Sequence, residues 1–426
     1  MRFPAFLDIP DDVLEIARTL EAAGHEAWCV GGAIRDTLIG EANTDYDIAT
    51  SATPDVVQRL FKHTVPVGER FGTVAVRTRR RHHEVTTFRR DVSTDGRHAV
   101  VEFGASLEED LARRDFTINA MAHHPLTHEW RDPFGGAADL GRKLIRAVGE
   151  PEVRFREDYL RILRGIRFAG RFGFTIDPPT WAAMLACADG LPRLSAERVR
   201  EEWYKGLRTA RSLSRMIELW RASGVAHAWM PELLADGPRQ LTPEVSPTGS
   251  SLVQRHPYVG RLADRSAGMP ASVGETGGHL PRDPVLLTTL FCLDPIAVLV
   301  RLKASNAEIA RAAAVVTGPQ EPEGSSPVAV RRWMSAVGEA ADDLTTLWSL
   351  LHGSPPNWEA AMRGIRERDE PLSRKQLAIT GNDLQTLGVP PGPQMGAVLD
   401  RLLELVIDDP SLNVAETLLA RARLML

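Results

Sequence analysis

Apolar residues recur at three- and four-residue intervals over 11–23, where Val13, Ile16, Ala17 and Leu20 share one face of a helix. The period then changes. The run AWCV at 27–30 reads as a short strand ending in Gly31-Gly32, and 34–39 suits a helix that opens directly after the glycines. A second strand is expected at 46–49. A helix at 56–61 follows, entered through Thr53-Pro54-Asp55, with proline in a first turn that needs no N–H. Alternation at 74–77 and 84–88 predicts paired strands with RTRRRHH as their connection. A helix at 107–114 and a further strand at 118–122 complete this part. Such an order of helices and antiparallel strands predicts an α+β domain with one covered sheet.

From residue 151 onward strand signals nearly vanish. Helical periodicity covers 158–172, 179–188, 196–209 and 213–223, and a Gly-, Pro- and Ser-rich stretch over 234–282 reads as a long connection. Helices resume at 285–304, 306–316, 328–352 and 358–368, and Pro-Gly punctuation at 389–393 precedes two last helices. No internal repeat is visible. The expected architecture is a small sheet-containing head (1–150), a helical neck (151–215), a helical body with the long connection (216–330) and a helical tail (331–426).

Composition narrows the class. With 426 residues, 43% hydrophobic and 25% charged, the chain is in the globular range and excludes a mainly disordered protein. Cys29, Cys187 and Cys292 stand far apart without a CxxC, which excludes a disulfide scaffold or a cysteine zinc site. No signal-peptide pattern opens the chain and no apolar stretch approaches roughly 18 residues, so a soluble, cytoplasmic protein is expected. The formal charge is −5, yet 70–171 holds 20 Lys/Arg against 15 Asp/Glu. A basic segment on an acidic protein can attract phosphate.

Candidate chemistry starts at Gly31-Gly32-Ala33-Ile34-Arg35-Asp36. The glycines let a phosphate approach the backbone, the helix start offers free N–H groups, and Arg35 adds a fixed charge. Asp45-Tyr46-Asp47 lies in the next expected strand, where residues i and i+2 face one side. Two carboxylates held together repel unless a cation sits between them, and hard oxygen donors suit Mg²⁺ or Mn²⁺. Glu84, on another expected strand, could supply a third carboxylate.

Gly31-Gly32…Arg35-Asp36…Asp45-x-Asp47 resembles the nucleotidyltransferase signature of the polymerase-β superfamily. More narrowly, 28–205 resembles class II tRNA nucleotidyltransferases (CCA-adding enzymes) and the related bacterial poly(A) polymerases. The likeness runs through Arg113-Arg114-Asp115-Phe116-Thr117-Ile118-Asn119-Ala120, Asp132-Pro133-Phe134-Gly135-Gly136, Glu157-Asp158-Tyr159-Leu160-Arg161 and Glu197-Arg198…Glu201. It implies a polymerase-β-like head followed by helical neck, body and tail. It implies Asp45 and Asp47 as metal ligands in a two-metal site, with Glu84 as the third acidic catalytic residue. Gly32 and Arg35 would contact the triphosphate, with Gly31 and Asp36 in the same nucleotide site. Arg114, Asp115 and Asn119 would lie by ribose and phosphates. Asp158 and Arg161 would read the base, with Arg164 and Arg167 completing the arginine series. The implied partners are tRNA, CTP and ATP. Glu197, Arg198 and Glu201 would brace the base-reading turn from behind.

The base-reading pair has its own logic. C and A each present an exocyclic amine beside a ring-nitrogen acceptor, which a carboxylate and a guanidinium match; G and U present the reverse. Asp158 and Arg161, at i and i+3 of an expected helix, would be neighbours on one face. Steps of three drift about 60° from the helical repeat, so Arg167 is expected to meet triphosphate or tRNA instead.

Some relatives carry an HD phosphohydrolase domain. This chain has no His-Asp dipeptide and His256 has no metal partners nearby, so no second hydrolase activity is expected. Adjacent His82-His83 and His123-His124 are expected at polar surface or loop positions. The retained segment RRDVSTDGR at 89–97 favours complete CCA addition over CC addition, and the ending AETLLARARLML lacks a basic RNA-holding extension. An A-adding or poly(A) enzyme is the second reading; an inactive RNA-binding relative is the third.

Overall fold

A computed structural model describes residues 3–41, 46–68, 72–79, 81–94, 99–233, 281–352 and 354–425. The chain divides into two compact units, Met1–Pro231 and Glu232–Leu426.

The first unit opens with helix α1 (Asp11–Ala22), which buries Val13, Ile16, Ala17 and Leu20. Strand β1 (Ala27–Val30) leads through Gly31 into α2 (Gly32–Leu38), followed by β2 (Asp47–Thr50) and α3 (Pro54–Leu60). Next come β3 (Thr64–Gly68), β4 (Thr73–Arg77), β5 (His82–Thr87), β6 (Arg89–Thr94) and β7 (Ala99–Phe103). After α4 (Leu107–Ala112) stand β8 (Ala122–His123), β9 (Trp130–Arg131) and α5 (Gly136–Gly141). Among the described residues a seven-stranded sheet has the order β3-β4-β5-β2-β1-β8-β9, and β6 and β7 form a separate hairpin. The fold is α+β, as the order of elements predicts.

Register decides what the sheet presents. Antiparallel pairing sets Val30 opposite Asp47 and Trp28 opposite Ala49. Parallel pairing sets Ile48 beside Val85, so Asp47 and Glu84 stand at adjacent places on the same face. On that face Trp28, Val30, Ala49 and Phe88 join Leu107 and Leu111 of α4, together with Ala120, Ala122 and Val148, in one core cluster. Asp47 and Glu84 therefore lie where the covered part of the face gives way to solvent.

Several elements depart from expectation. Strand β3 contains Pro66, tolerated because β3 is the sheet edge and needs no N–H there. Strand β6 (RRDVST) is almost wholly polar and β7 (AVVEF) almost wholly apolar, so neither shows the alternation that marks a half-buried strand. The expected strand at 118–122 shrinks to β8, because Thr117–Asn119 forms a 3₁₀ turn. Of the four histidines expected at polar surface or loop positions, His83 and His123 are fully buried. Strand alternation points one member of each pair inward; His83 Nε2 meets Asp12 Oδ2 at 2.8 Å. His124 is half-buried and pairs with Glu21 at 2.7 Å.

The rest of this unit is mainly helical, with α6 (Pro151–Glu157), α7 (Leu160–Phe172), α8 (Pro178–Ala186), α9 (Ala196–Thr209) and α10 (Leu213–Ala222), and the short strand Thr175–Ile176 pairs in parallel with Leu144–Ile145. The single helix expected over 158–172 begins instead at Leu160, with Asp158 in extended backbone between α6 and α7.

The second unit is helical among its described residues. The expected helix at 285–304 is two, Pro284–Phe291 and Pro295–Arg301, because Asp294 caps the second and Pro295 cannot continue the first. Gly338 likewise divides 328–352 into Pro327–Val337 and Ala340–His352. Helices Pro393–Asp408 and Ala415–Arg423 close around Leu384, Leu402, Val406, Leu418 and Ala422. Buried Arg331 donates to the terminal carbonyls of Ile407 and Asp408, which no helical N–H can reach. The expected connection at 234–282 and His256 lie almost wholly outside the described residues. Among those described, no helix is long and apolar enough to cross a membrane.

Candidate active site

The turn between β1 and α2 brings Gly31, Asp47 and Arg114 together. Gly31 caps α2 with φ 76°, a left-handed conformation costly for any residue with a Cβ. A side chain would also crowd the site: a Cβ there would lie 2.8 Å from Arg114 Nη1, which would have to shift, and 3.9 Å from Asp47 Oδ2. One bare backbone corner thus faces a carboxylate and a guanidinium together. Arg114 is aimed by Asp110, its Nη2 donating to Oδ2 at 3.2 Å, while Nη1 reaches the Asn119 carbonyl at 3.4 Å. Glu84 is exposed one strand away, and Asp45 lies outside the described residues.

Behind the glycines the charges are buried and paired. Arg35, 3% exposed, donates through Nε to Asp36 (2.8 Å) and through Nη1 to Asn119 Oδ1. Its guanidinium carbon stands 5.0 Å from the Phe168 ring centroid and 4.8 Å from that of Phe172. A Cβ on Gly32 would be 3.5 Å from Arg35 Nη2, so the cation lies directly under the second glycine. Asp36 is shared with Arg171, whose Nη2 donates at 3.0 Å.

Asp115 and Asn119 belong to the same layer. Burial opposes ionisation of Asp115, but Arg164 at 2.7 Å, Asn119 Nδ2 and the Phe116 N–H, both at 2.8 Å, overcome it and hold the carboxyl at about 2. The same pairing raises the Arg164 pKa. Arg167, mostly buried, donates from Nε to Glu202 of α9 and lies 4.3 Å from the Phe168 centroid. It faces a carboxylate inside the protein, whereas the drift of its helix face predicts a turn toward triphosphate or tRNA.

Asp158 and Arg161 are not two positions of one helix. Asp158 has φ −154° and ψ 106°, because its Oδ1 accepts the Leu160 N–H at 3.0 Å and so starts α7 after it. Oδ2 accepts Arg198 Nη2 at 2.7 Å, so α9 holds the turn from behind. Arg161 donates to the carbonyls of Arg154 (2.8 Å) and Arg113 (2.9 Å) and to Glu157. It thereby joins the α6–α7 turn to the segment carrying Arg114 and Asp115.

Sequence reasoning overlooked Glu202, Arg171 and the Phe168–Phe172 pair. The signals existed. Val199, Glu202, Trp203 and Gly206 mark the buried stripe of α9, placing Glu202 inward, and Phe168 and Phe172 repeat at i, i+4 among the arginines of α7.

The chain is similar to known proteins over most of its length. Three family models match: Poly A polymerase head domain over residues 27–146, Probable RNA and SrmB- binding site of polymerase A over 173–236, and tRNA nucleotidyltransferase domain 2 putative over 285–422. The CCA-adding enzyme of Levilactobacillus brevis is 34% identical over 420 residues, covering 95% of either chain. That of Geobacillus stearothermophilus is 33% identical over 417 residues, covering 96% of this chain and 95% of its own. Among solved structures, the Bacillus stearothermophilus CCA-adding enzyme in complex with CTP aligns with a TM-score of 0.67 at 30% identity, covering 100% of this chain and 98% of that one. The chain belongs to the class II family of tRNA nucleotidyltransferases, the CCA-adding enzymes.

Proposed function

We propose that this chain is a nucleotidyltransferase that builds or repairs the 3′-terminal CCA of tRNA, using CTP and ATP and releasing pyrophosphate, in the cytoplasm. The observation that carries the reading is the convergence of Asp47, Arg114 and the Gly31 corner, with Glu84 on the same sheet face. A bare backbone corner beside a guanidinium suits a triphosphate, and carboxylates set next to it suit a hard divalent cation.

The donor set fits Mg²⁺ or Mn²⁺: Asp47 and Asp45 would hold it, with Glu84 as the third carboxylate. When bound, the metal would lower the pKa of the RNA 3′-hydroxyl and neutralise the departing pyrophosphate. The protein's own part is positioning and charge. Arg114 offers donors to phosphate oxygens at the glycine corner. Arg35 supplies positive potential from beneath Gly32, its own position fixed by Asp36, Asn119 and the two phenylalanines. Asp115, ionised and held by Arg164, fixes the amide of Asn119, which would lie by the ribose. Asp158 would accept from the exocyclic amine of C or A while Arg161 donates to the ring nitrogen; U and G present the reverse order and would match neither group.

The test is incubation of tRNA lacking its 3′ terminus with Mg²⁺ and each labelled triphosphate singly. CMP incorporation must precede AMP incorporation; unlimited uptake of ATP alone would instead identify a poly(A) polymerase. Asp47→Ala should lower incorporation by a factor of at least about 10³ and leave tRNA binding intact. Near-normal turnover in that variant would remove Asp47 from the metal site.

A further inference from the structure

The turn that presents Asp158 rests on a contact between a motif residue and Gly190, which lies outside the motifs. Tyr159, next in the chain, is 4% exposed and stands just before α7, and its ring lies against Gly190. A Cβ at Gly190 would stand 1.9 Å from Tyr159 Cε1, 2.0 Å from Cζ and 2.4 Å from Cδ1, far inside any tolerable separation. Gly190 belongs to the 3₁₀ turn Ala188–Arg193, and that turn is fixed on its other connections. Its N–H donates to the Cys187 carbonyl at 3.1 Å, Leu191 is fully buried, and the Leu191 carbonyl accepts Trp229 Nε1 at 3.0 Å. A side chain at 190 would therefore move the ring and not the platform. Asp158 feels any such movement through both of its donors. One is the N–H of Leu160, immediately beyond Tyr159; the other is Arg198, whose Nη2 meets Oδ2 at 2.7 Å.

We infer that the Tyr159–Gly190 contact is a specificity lock: the ring seated on a side-chain-free backbone fixes the Asp158 carboxylate and so sets how strictly C and A are told from U and G. The inference rests on the base-reading role proposed for Asp158. Tyr159 and Gly190 are positioning residues, since neither is needed to touch substrate.

The experiment compares kcat/KM for CTP against UTP on tRNA lacking its 3′ terminus, and for ATP against GTP on tRNA ending in CC. Gly190→Ala displaces the ring. Tyr159→Leu removes it while leaving the platform untouched, so folding is not challenged by a clash. Asp158→Ala reports on the base-reading role itself. Both lock variants should narrow each selectivity ratio at least about tenfold, chiefly through a higher KM for the correct nucleotide. An equal fall for all four nucleotides, with the ratios unchanged, would reduce the contact to ordinary packing and overturn the inference. Loss of selectivity in Asp158→Ala with full selectivity in both lock variants would overturn the lock and leave base reading standing. Retained selectivity in Asp158→Ala would overturn base reading, and the lock with it.

Discussion

His123 shows what a single side chain costs when its surroundings are apolar. It is fully buried on β8, 4.5 Å from the Trp130 ring and 5.7 Å from His128, and among the described residues neither ring nitrogen has a hydrogen-bond partner. Burial, with the nearby histidines adding to it, pushes its pKa down from 6.5 to about 4. The folded protein keeps the ring neutral, whereas the unfolded chain takes up a proton below 6.5. The neutral ring's contribution to stability is thus full above pH 6.5 and is lost as pH falls toward 4. Urea midpoints measured across that window should fall in the wild type and fall less in His123→Phe. Equal slopes would mean that the ring is protonated in place. Asp115 acts at the other end of the scale, its depressed carboxyl stabilising the fold above 3.8 and ceasing to do so as pH falls through about 2. Residue types at both positions were readable, but their burial was not. An adjacent histidine pair says that one ring points inward without saying which, and Asp115 owes its state to Arg164, 49 residues away.

At the scale of elements, the Asp132-Pro133-Phe134-Gly135-Gly136 motif acts as the start of a helix. Asp132 accepts the N–H groups of Gly136 (2.6 Å) and Ala137 (3.0 Å), two donors that α5 leaves without intrahelical partners. Further along α5, Asp139 accepts the Thr117 hydroxyl at 2.8 Å, tying the helix to the 3₁₀ turn that carries Asn119. Asp132→Ala should therefore cost about 1–2 kcal/mol, read as a lower urea midpoint with unchanged slope. An unchanged midpoint would show that water replaces the carboxylate without loss. Elements of this kind were legible where punctuation and periodicity agree: 27–30 is bounded by Gly31-Gly32, and 196–209 begins after Ser195, whose hydroxyl accepts the Arg198 N–H. Legibility failed where periodicity runs through a break. Phe155, Leu163 and Ile166 stay apolar on both sides of Asp158, so nothing local marks the extended residue, and only its cap on Leu160 and its pairing with Arg198 explain it. The break between Cys292 and Pro295 was readable in principle, since Asp-Pro is a helix-start signal.

For the whole molecule, the division at Pro231 puts every described candidate residue in the first unit, while the second builds a separate helical core. The ordered motifs gave away that these residues belong together, but not how. Arg35 meets Asn119 across 84 positions and Arg167 meets Glu202 across 35, and such pairings leave no local pattern. The division also has a measurable consequence. A nucleotide that binds only the folded site stabilises it by RT ln(1 + [L]/Kd), about 2.7 kcal/mol at a hundredfold excess over Kd. That energy suppresses only those openings that disrupt the site. With Mg²⁺ and CTP, amide exchange in peptides covering Gly32–Leu38, Thr117–Asn119 and Leu160–Phe172 should slow up to about a hundredfold, while peptides from Pro327–Val337 and Pro393–Asp408 keep their rates. Equal slowing in both sets would mean that the second unit also holds the nucleotide. No slowing in the first set would mean that CTP is bound away from the Gly31 corner, and the roles proposed for Asp47 and Arg114 would fall together.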